Sequence, residues 1–107
     1  MNITEAKVVL QCRRPIKPGD VWANLKFYGM KYSINYVYSI LSRLAKGGSI
    51  IKREITDGGS VGRTIYYTAP SDSIVKALNI IEVYALQKIR SGVVVAPLSS
   101  YIHSMKQ

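Results

Sequence analysis

Residues 33–56, SINYVYSILSRLAKGGSIIKREIT, change their periodicity halfway along. Ser33 is placed to cap a helix in which Ile34, Val37, Ile40, Leu41 and Leu44 recur on one apolar stripe of period 3.6. Gly47-Gly48 then breaks the helix, and β-formers follow at once in SIIKREIT, 49–56. A second β-rich run, RTIYYTA at 63–69, returns after the polar, glycine-rich DGGSVG, which is too long for a two-residue turn. A helix that gives way directly to a hairpin with an extended tip leaves few architectures open. Helix and hairpin must cover one small core from adjacent sides.

The flanking segments supply that core. Asn2 or Thr4 can cap a first helix, with Glu5 spaced to close a capping box on Asn2. Ala6, Val9 and Leu10 mark its apolar side, and Pro15 and Pro18 mark its end. Asp20 is placed to cap a short second helix, VWANLKFY, with Val21, Trp22, Leu25 and Tyr28 inward and Gly29 as the stop. Cys12 has no partner for an internal disulfide and reads as a small core residue. After Pro70, Ser71 or Asp72 opens a long helix, SIVKALNIIEVYALQKIR. Its apolar residues exceed what one face can carry, leaving a narrow polar stripe through Lys76, Asn79, Gln87 and Arg90. That excess predicts burial against a second copy, with Ile74, Leu78, Ile81, Ala85 and Ile89 in the contact and the 93–105 tail as a possible addition. The expected organisation is 1–70 as one domain and 71–107 as a dimerisation helix and tail in the same compact unit.

Charge narrows the function. Across 107 residues, 15 Lys+Arg stand against 6 Asp+Glu, formally +9. Residues 1–70 carry 11 basic and 4 acidic residues, net +7, and 71–107 carry 4 and 2, net +2. An excess of this size and asymmetry favours a polyanionic partner facing the first two-thirds. The third helix fits that expectation. Opposite its apolar stripe lie Asn35, Tyr36, Ser39, Ser42, Arg43 and Lys46, with no acidic residue. Hydroxyls, an amide, an aromatic ring and two cations are a chemistry for base edges and phosphates. Lys31 and Ser33 stand at the start of this helix. Lys52 and Arg53 lie along the first strand, and Arg63 sits at the hairpin base, where a basic arm can follow a DNA backbone or minor groove. An ordinary solvated helix face and a plain hairpin cover remain the alternatives.

Catalysis is not expected. His103 is the only histidine and Cys12 the only cysteine, too few for a four-ligand zinc site, so neither a metal nor a cofactor is expected. The six acids are scattered, and GGSVG joins two strands rather than opening a helix, so it is no phosphate loop. No signal-peptide core or membrane-length apolar run is visible, which predicts a cytoplasmic location with no membrane partner.

Two stretches, VYSILSRLAKGGSIIKRE (37–54) and GRTIYYTAP (62–70), carry a resemblance. From Asp20 to Pro70 the chain resembles the winged helix-turn-helix domain of small bacterial and archaeal transcription regulators, broadly those of the MarR and PadR families. Small regulators of archaeal viruses and plasmids share the pattern. The resemblance implies a mainly α fold with a small β-hairpin, a winged helix-turn-helix with an added C-terminal dimerisation helix. It implies double-stranded DNA as partner, the third helix in the major groove and the wing on the backbone or minor groove. A non-specific architectural DNA-binding protein and a winged-helix protein-interaction module stay open beside it.

Overall fold

A computed structural model describes residues 1–56 and 62–90. The hairpin tip at 57–61 and the tail at 91–107, with His103, lie outside the described residues. Helix α1 spans Ile3–Gln11, α2 Pro18–Phe27 and α3 Ile34–Lys46; strands β1 (Ile51–Thr56) and β2 (Arg63–Thr68) follow, then α4 (Ser71–Arg90). Among the described residues no helix is long and apolar enough to cross a membrane.

Local chemistry sets most boundaries. Helix α1 opens with the expected reciprocal box: Asn2 Oδ1 accepts the Glu5 N–H at 2.8 Å, and Glu5 Oε1 accepts the Asn2 N–H at 2.9 Å. It ends at Gln11 with Cys12 as C-cap, well before Pro15. Helix α2 begins earlier than its expected Asp20 cap. Lys17 is the N-cap without a side-chain bond, and Pro18 takes the first helical position, where its fixed φ and missing N–H cost nothing. Asp20 sits in the first turn, favourably near the positive end of the helix dipole. Helix α4 also starts one residue sooner than a Ser71 cap implies and two sooner than an Asp72 cap, because the Ile74 N–H donates to the Pro70 carbonyl.

Both α2 and α3 stop in the same way. Gly29 has φ +84° and Gly48 φ +81°, left-handed values that a Cβ disfavours. The Met30 N–H reaches back to the Leu25 carbonyl and the Gly29 N–H to Lys26, while Ser49 and Gly48 repeat the pattern onto Leu44 and Ala45. Each pair of bonds is a Schellman closure that satisfies carbonyls the helix leaves open. The two glycines of the GG pair thus differ. Gly47 is still right-handed, and Gly48 makes the turn that sends Ile50 into the core and the chain into β1.

The strands pair antiparallel in register, Ile51 opposite Thr68 through Thr56 opposite Arg63. Ile16 adds a one-residue bridge on the other edge of β2, exchanging both backbone bonds with Tyr67 at 2.8 and 3.1 Å. Strand β2 is therefore central, with Tyr67 buried, and β1 is an exposed edge.

One core joins all four helices. It holds Ala6, Val8, Val9 and Leu10 of α1, Val21 and Leu25 of α2, Val37, Ile40, Leu41 and Leu44 of α3, and Ala77 and Ile81 of α4. Each fully buried leucine or isoleucine contributes about 1.5–3 kcal/mol through removal of apolar surface from water. Ile34, expected in the α3 stripe, is instead 38% exposed, because at 100° per residue it falls at the edge of the arc that Val37, Ile40, Leu41 and Leu44 bury, on the side of exposed Tyr38. Trp22 is half-buried rather than fully inward. Cys12 is wholly buried, and burial pushes its thiol up to about 12, so it stays protonated and inert at neutral pH.

Candidate nucleic-acid interface

Helix α3 advances 100° per residue, which divides its side chains cleanly. Val37, Ile40, Leu41 and Leu44 face the core. Asn35, Ser39, Ser42 and Lys46 stand opposite them and are exposed. Tyr36 and Arg43 flank this outward face on one side, Ile34 and Tyr38 on the other, all exposed. The helix itself contributes no carboxylate to the surface.

Two serines prove to have local work. Ser33 Oγ accepts the Tyr36 N–H at 3.1 Å, which makes it the N-cap of α3. Ser39 Oγ donates to the Tyr36 carbonyl at 2.8 Å, so toward solvent it offers lone pairs rather than a proton. It can accept from an exocyclic base amine. Asn35 offers both an acceptor and a donor, the pair that adenine matches in the major groove.

The entry to α3 is held from behind. Trp22 Nε1 donates to the Tyr32 carbonyl at 2.9 Å, fixing the turn between α2 and α3, and the Tyr32 and Tyr36 rings meet at 5.5 Å. Lys26 Nζ lies 5.1 Å from the centre of the Trp22 ring. Lys26, Lys31 and Ser33 border one shallow hollow beside this turn. Hydrophobic and charge patterning alone do not single out Lys26. Its i+4 spacing from Trp22 was the available signal.

The wing cations divide between two faces of the hairpin. In the observed register Lys52, Glu54 and Arg63 share one face. Glu54 Oε1 lies 3.8 Å from Lys52 Nζ, and Glu54 Oε2 lies 3.4 Å from Arg63 Nη1. Arg53 is on the other face, opposite Tyr66, beside Pro15, Ile55 and Thr68. The expected triad is therefore a paired Lys52–Glu54–Arg63 cluster and a separate Arg53. Among the described residues Lys31, Lys46 and Arg53 take part in no ion pair.

Arg43 has a partner that the α3 sequence does not reveal. Its Nε donates to Glu5 Oε2 at 3.2 Å, across 38 residues of chain. The Asn2 N–H bond, then Arg43, and also the terminal amine hold the Glu5 carboxyl below the usual carboxylate range, against the opposing effect of burial. Glu5 therefore remains ionised beside Arg43 at neutral pH.

The residues expected in a dimer contact also divide. Ser73, Ala77, Ile81 and Ala85 form a buried stripe of α4 that lies against α1. Ile81 is 0% exposed and Ala85 8%, so their own chain already covers them. Ile74 and Leu78 are half-buried. A second stripe stays open, with Val75, Leu86 and Ile89 each more than half exposed and Leu78 between them. Val83, equally exposed, borders an adjacent apolar groove with Ile3, Ile80 and Tyr84.

No protein-family model and no curated protein matches this sequence. A solved structure does match. The PadR family transcriptional regulator from Eggerthella lenta DSM 2243 superposes with a TM-score of 0.70, covering 83% of this chain and 78% of that one at 17% identity. Likeness at that identity is a likeness of fold. The helix order, the antiparallel hairpin and the single core make this chain a winged helix.

Proposed function

We propose that the chain is a sequence-specific, double-stranded DNA-binding transcription regulator that acts as a homodimer. The exposed face of α3 carries this reading. It presents Asn35, Ser39, Ser42 and Lys46 together, with Tyr36 and Arg43 beside them, on a fold shared with a transcriptional regulator. A helix fits the major groove, and these side chains match base edges and phosphates there. Lys26 and Lys31 at the helix entry suit the flanking phosphates. The hairpin, through Lys52, Arg53 and Arg63, lies along the backbone or in the minor groove.

The pairing of cations supports discrimination over a general coat. A protein that bound every duplex alike would gain most from unpaired charge. Here Arg43 and Arg63 are each held by a carboxylate.

The second stripe of α4 supports the dimer. Val75, Leu78, Leu86 and Ile89 fall at helical spacing on one side of α4, with Glu82 between Leu78 and Leu86, and a two-fold partner would cover the apolar four with their own copies. Two α3 helices would then read two half-sites, each raising the effective concentration of the other.

Selection of bound duplexes from a random pool, followed by competition against random DNA at raised salt, tests the reading directly. A regulator enriches one motif with two half-sites and keeps its preference as salt rises. An unenriched pool, or a monomer in sedimentation at micromolar concentration with full affinity for a selected duplex, would contradict specificity or dimerisation respectively.

A further inference from the structure

We infer that Glu5 is a positioning residue for Arg43: by holding one edge of the guanidinium against α1, it aims the other edge outward from the α3 surface. This inference rests on the proposed DNA-binding reading. Glu5 is itself tightly placed. It sits at the third position of α1, its backbone N–H bonds to Asn2 Oδ1, and its Oε1 accepts the Asn2 N–H. The rest of α1 is locked by Ala6, Val8, Val9 and Leu10 in the core. Its side chain is only 15% exposed, against 59% for that of Arg43. The carboxylate is thus a fixed acceptor and Arg43 the movable partner.

The geometry of the bond decides what remains available. Only Nε is engaged, at 3.2 Å, and among the described residues the Arg43 side chain has no other hydrogen bond or ion pair. The two terminal nitrogens keep their donors. That end-on pair is the edge that bonds bidentately to guanine or to a phosphate. An arginine already ordered in this pose loses less freedom on binding. Pairing also removes part of its attraction for any phosphate that happens to be near. The two effects act in one direction, favouring a matched site over random sequence.

Glu5→Gln is the informative change. Glutamine still closes the capping box, so α1 keeps its start, but the charged acceptor for Arg43 is gone. The ratio of affinities for a selected duplex over a random duplex should fall roughly three- to tenfold, the size expected for one side chain that must be ordered on binding. Affinity for random duplex should hold steady or rise. Arg43→Lys, which lacks Nε and the planar fork, should lower the same ratio. The double variant should lose no more than Arg43→Lys alone. In the free protein, the Arg43 Nε–H resonance should be protected from exchange and should broaden in Glu5→Gln.

A Glu5→Gln variant that shifts selected and random duplexes by one common factor would overturn the inference, reducing Glu5 to a background charge and leaving DNA binding intact. Fully additive losses in the double variant would overturn it as well. A parent protein that enriches no duplex would remove the inference together with the reading beneath it. A fall in melting temperature with an unchanged ratio would assign Glu5 to the α1–α3 packing alone.

Discussion

Helices α3 and α4 each put one narrow stripe into the same core, and they differ in what they leave outside. Opposite Val37, Ile40, Leu41 and Leu44, α3 shows hydroxyls, an amide and a cation. Outside the stripe of Ser73, Ala77, Ile81 and Ala85, α4 shows Val75, Val83, Leu86 and Ile89 beside a polar strip of Lys76, Asn79, Gln87 and Arg90. The first surface is content in water and suited to a polyanion. The second surrenders apolar area that water does not favour. The comparison shows that a buried stripe establishes where a helix packs, while the remaining face establishes what it meets.

The largest expected effect separates the two faces of α4. Ile81→Glu places an unpaired carboxylate in the core against α1, at a cost of several kcal/mol that a small domain can barely sustain. Thermal unfolding should show a collapse of the folded state. Leu86→Glu, five residues on, alters a side chain that is 54% exposed within the chain. The fold should survive, and sedimentation should show the monomer. Equal damage from both substitutions would mean that α4 has no separable outer face.

The matching test on α3 is smaller. Asn35→Ala removes a bidentate partner for one base and should cost roughly 1–3 kcal/mol at the selected site, with preference relaxed at one position. Lys46→Gln should weaken selected and random duplexes alike and reduce the salt slope by roughly one. Quantitative binding to a selected duplex and its single-base variants distinguishes the two. If both substitutions act alike on all sequences, α3 supplies only charge.

Much of this was legible in the sequence because it is local. The Asn2–Glu5 box, the Ser33 cap, four of the five residues expected in the α3 stripe (all but Ile34) and the break at the paired glycines each depend on neighbours within a turn. Hydrophobic spacing also announced that α4 has too much apolar surface. Spacing could not say which stripe faces α1, because Ile81 and Leu86 are chemically alike and only packing across the chain separates them. Long-range pairing was equally hidden. Glu5 read as a capping residue and Arg43 as part of an acid-free face, yet they meet at 3.2 Å. Hairpin register moved Arg53 to the face opposite Lys52 and Arg63, a consequence of the period of two that scanning for clustered cations overlooks.

The end of α3 offers a finer test, since its two glycines have different tasks. Gly48→Ala meets no atom within 4 Å, so its cost is the left-handed backbone alone, about 1–2 kcal/mol. Gly47 is right-handed, and a Cβ there meets the Arg43 carbonyl at an ordinary 3.6 Å. Gly47→Ala should therefore be neutral, or stabilise by about 0.4–1 kcal/mol through the unfolded chain. Urea titration of the two variants should give opposite or clearly unequal shifts. Equal destabilisation would mean that the turn into β1 depends on both glycines being flexible.

The smallest expected effect concerns α1, which packs on α4 and reaches α3 through Glu5. The Glu5 carboxyl is held below its ordinary range by the Asn2 N–H, by Arg43 and by the terminal amine. The native state therefore binds this proton less readily than the unfolded chain does. Its contribution to stability is fully present above the unfolded value and is lost as pH falls through the lowered native one. Arg43 is well exposed and the pair is open to salt, so the Arg43 part should amount to about 0.2–1 kcal/mol. Urea unfolding at stepped pH below 5 should show a shallower acid limb for Glu5→Gln than for the parent. Arg43→Gln should recover only part of that difference, because the Asn2 bond stays. Raising salt should shrink the Arg43 part and spare the capping part, since Debye screening acts on the exposed charge far more than on a short backbone bond. An acid limb in Arg43→Gln as shallow as that in Glu5→Gln would assign the whole effect to the ion pair, and α1 would then be tied to α3 more strongly than an exposed arginine allows.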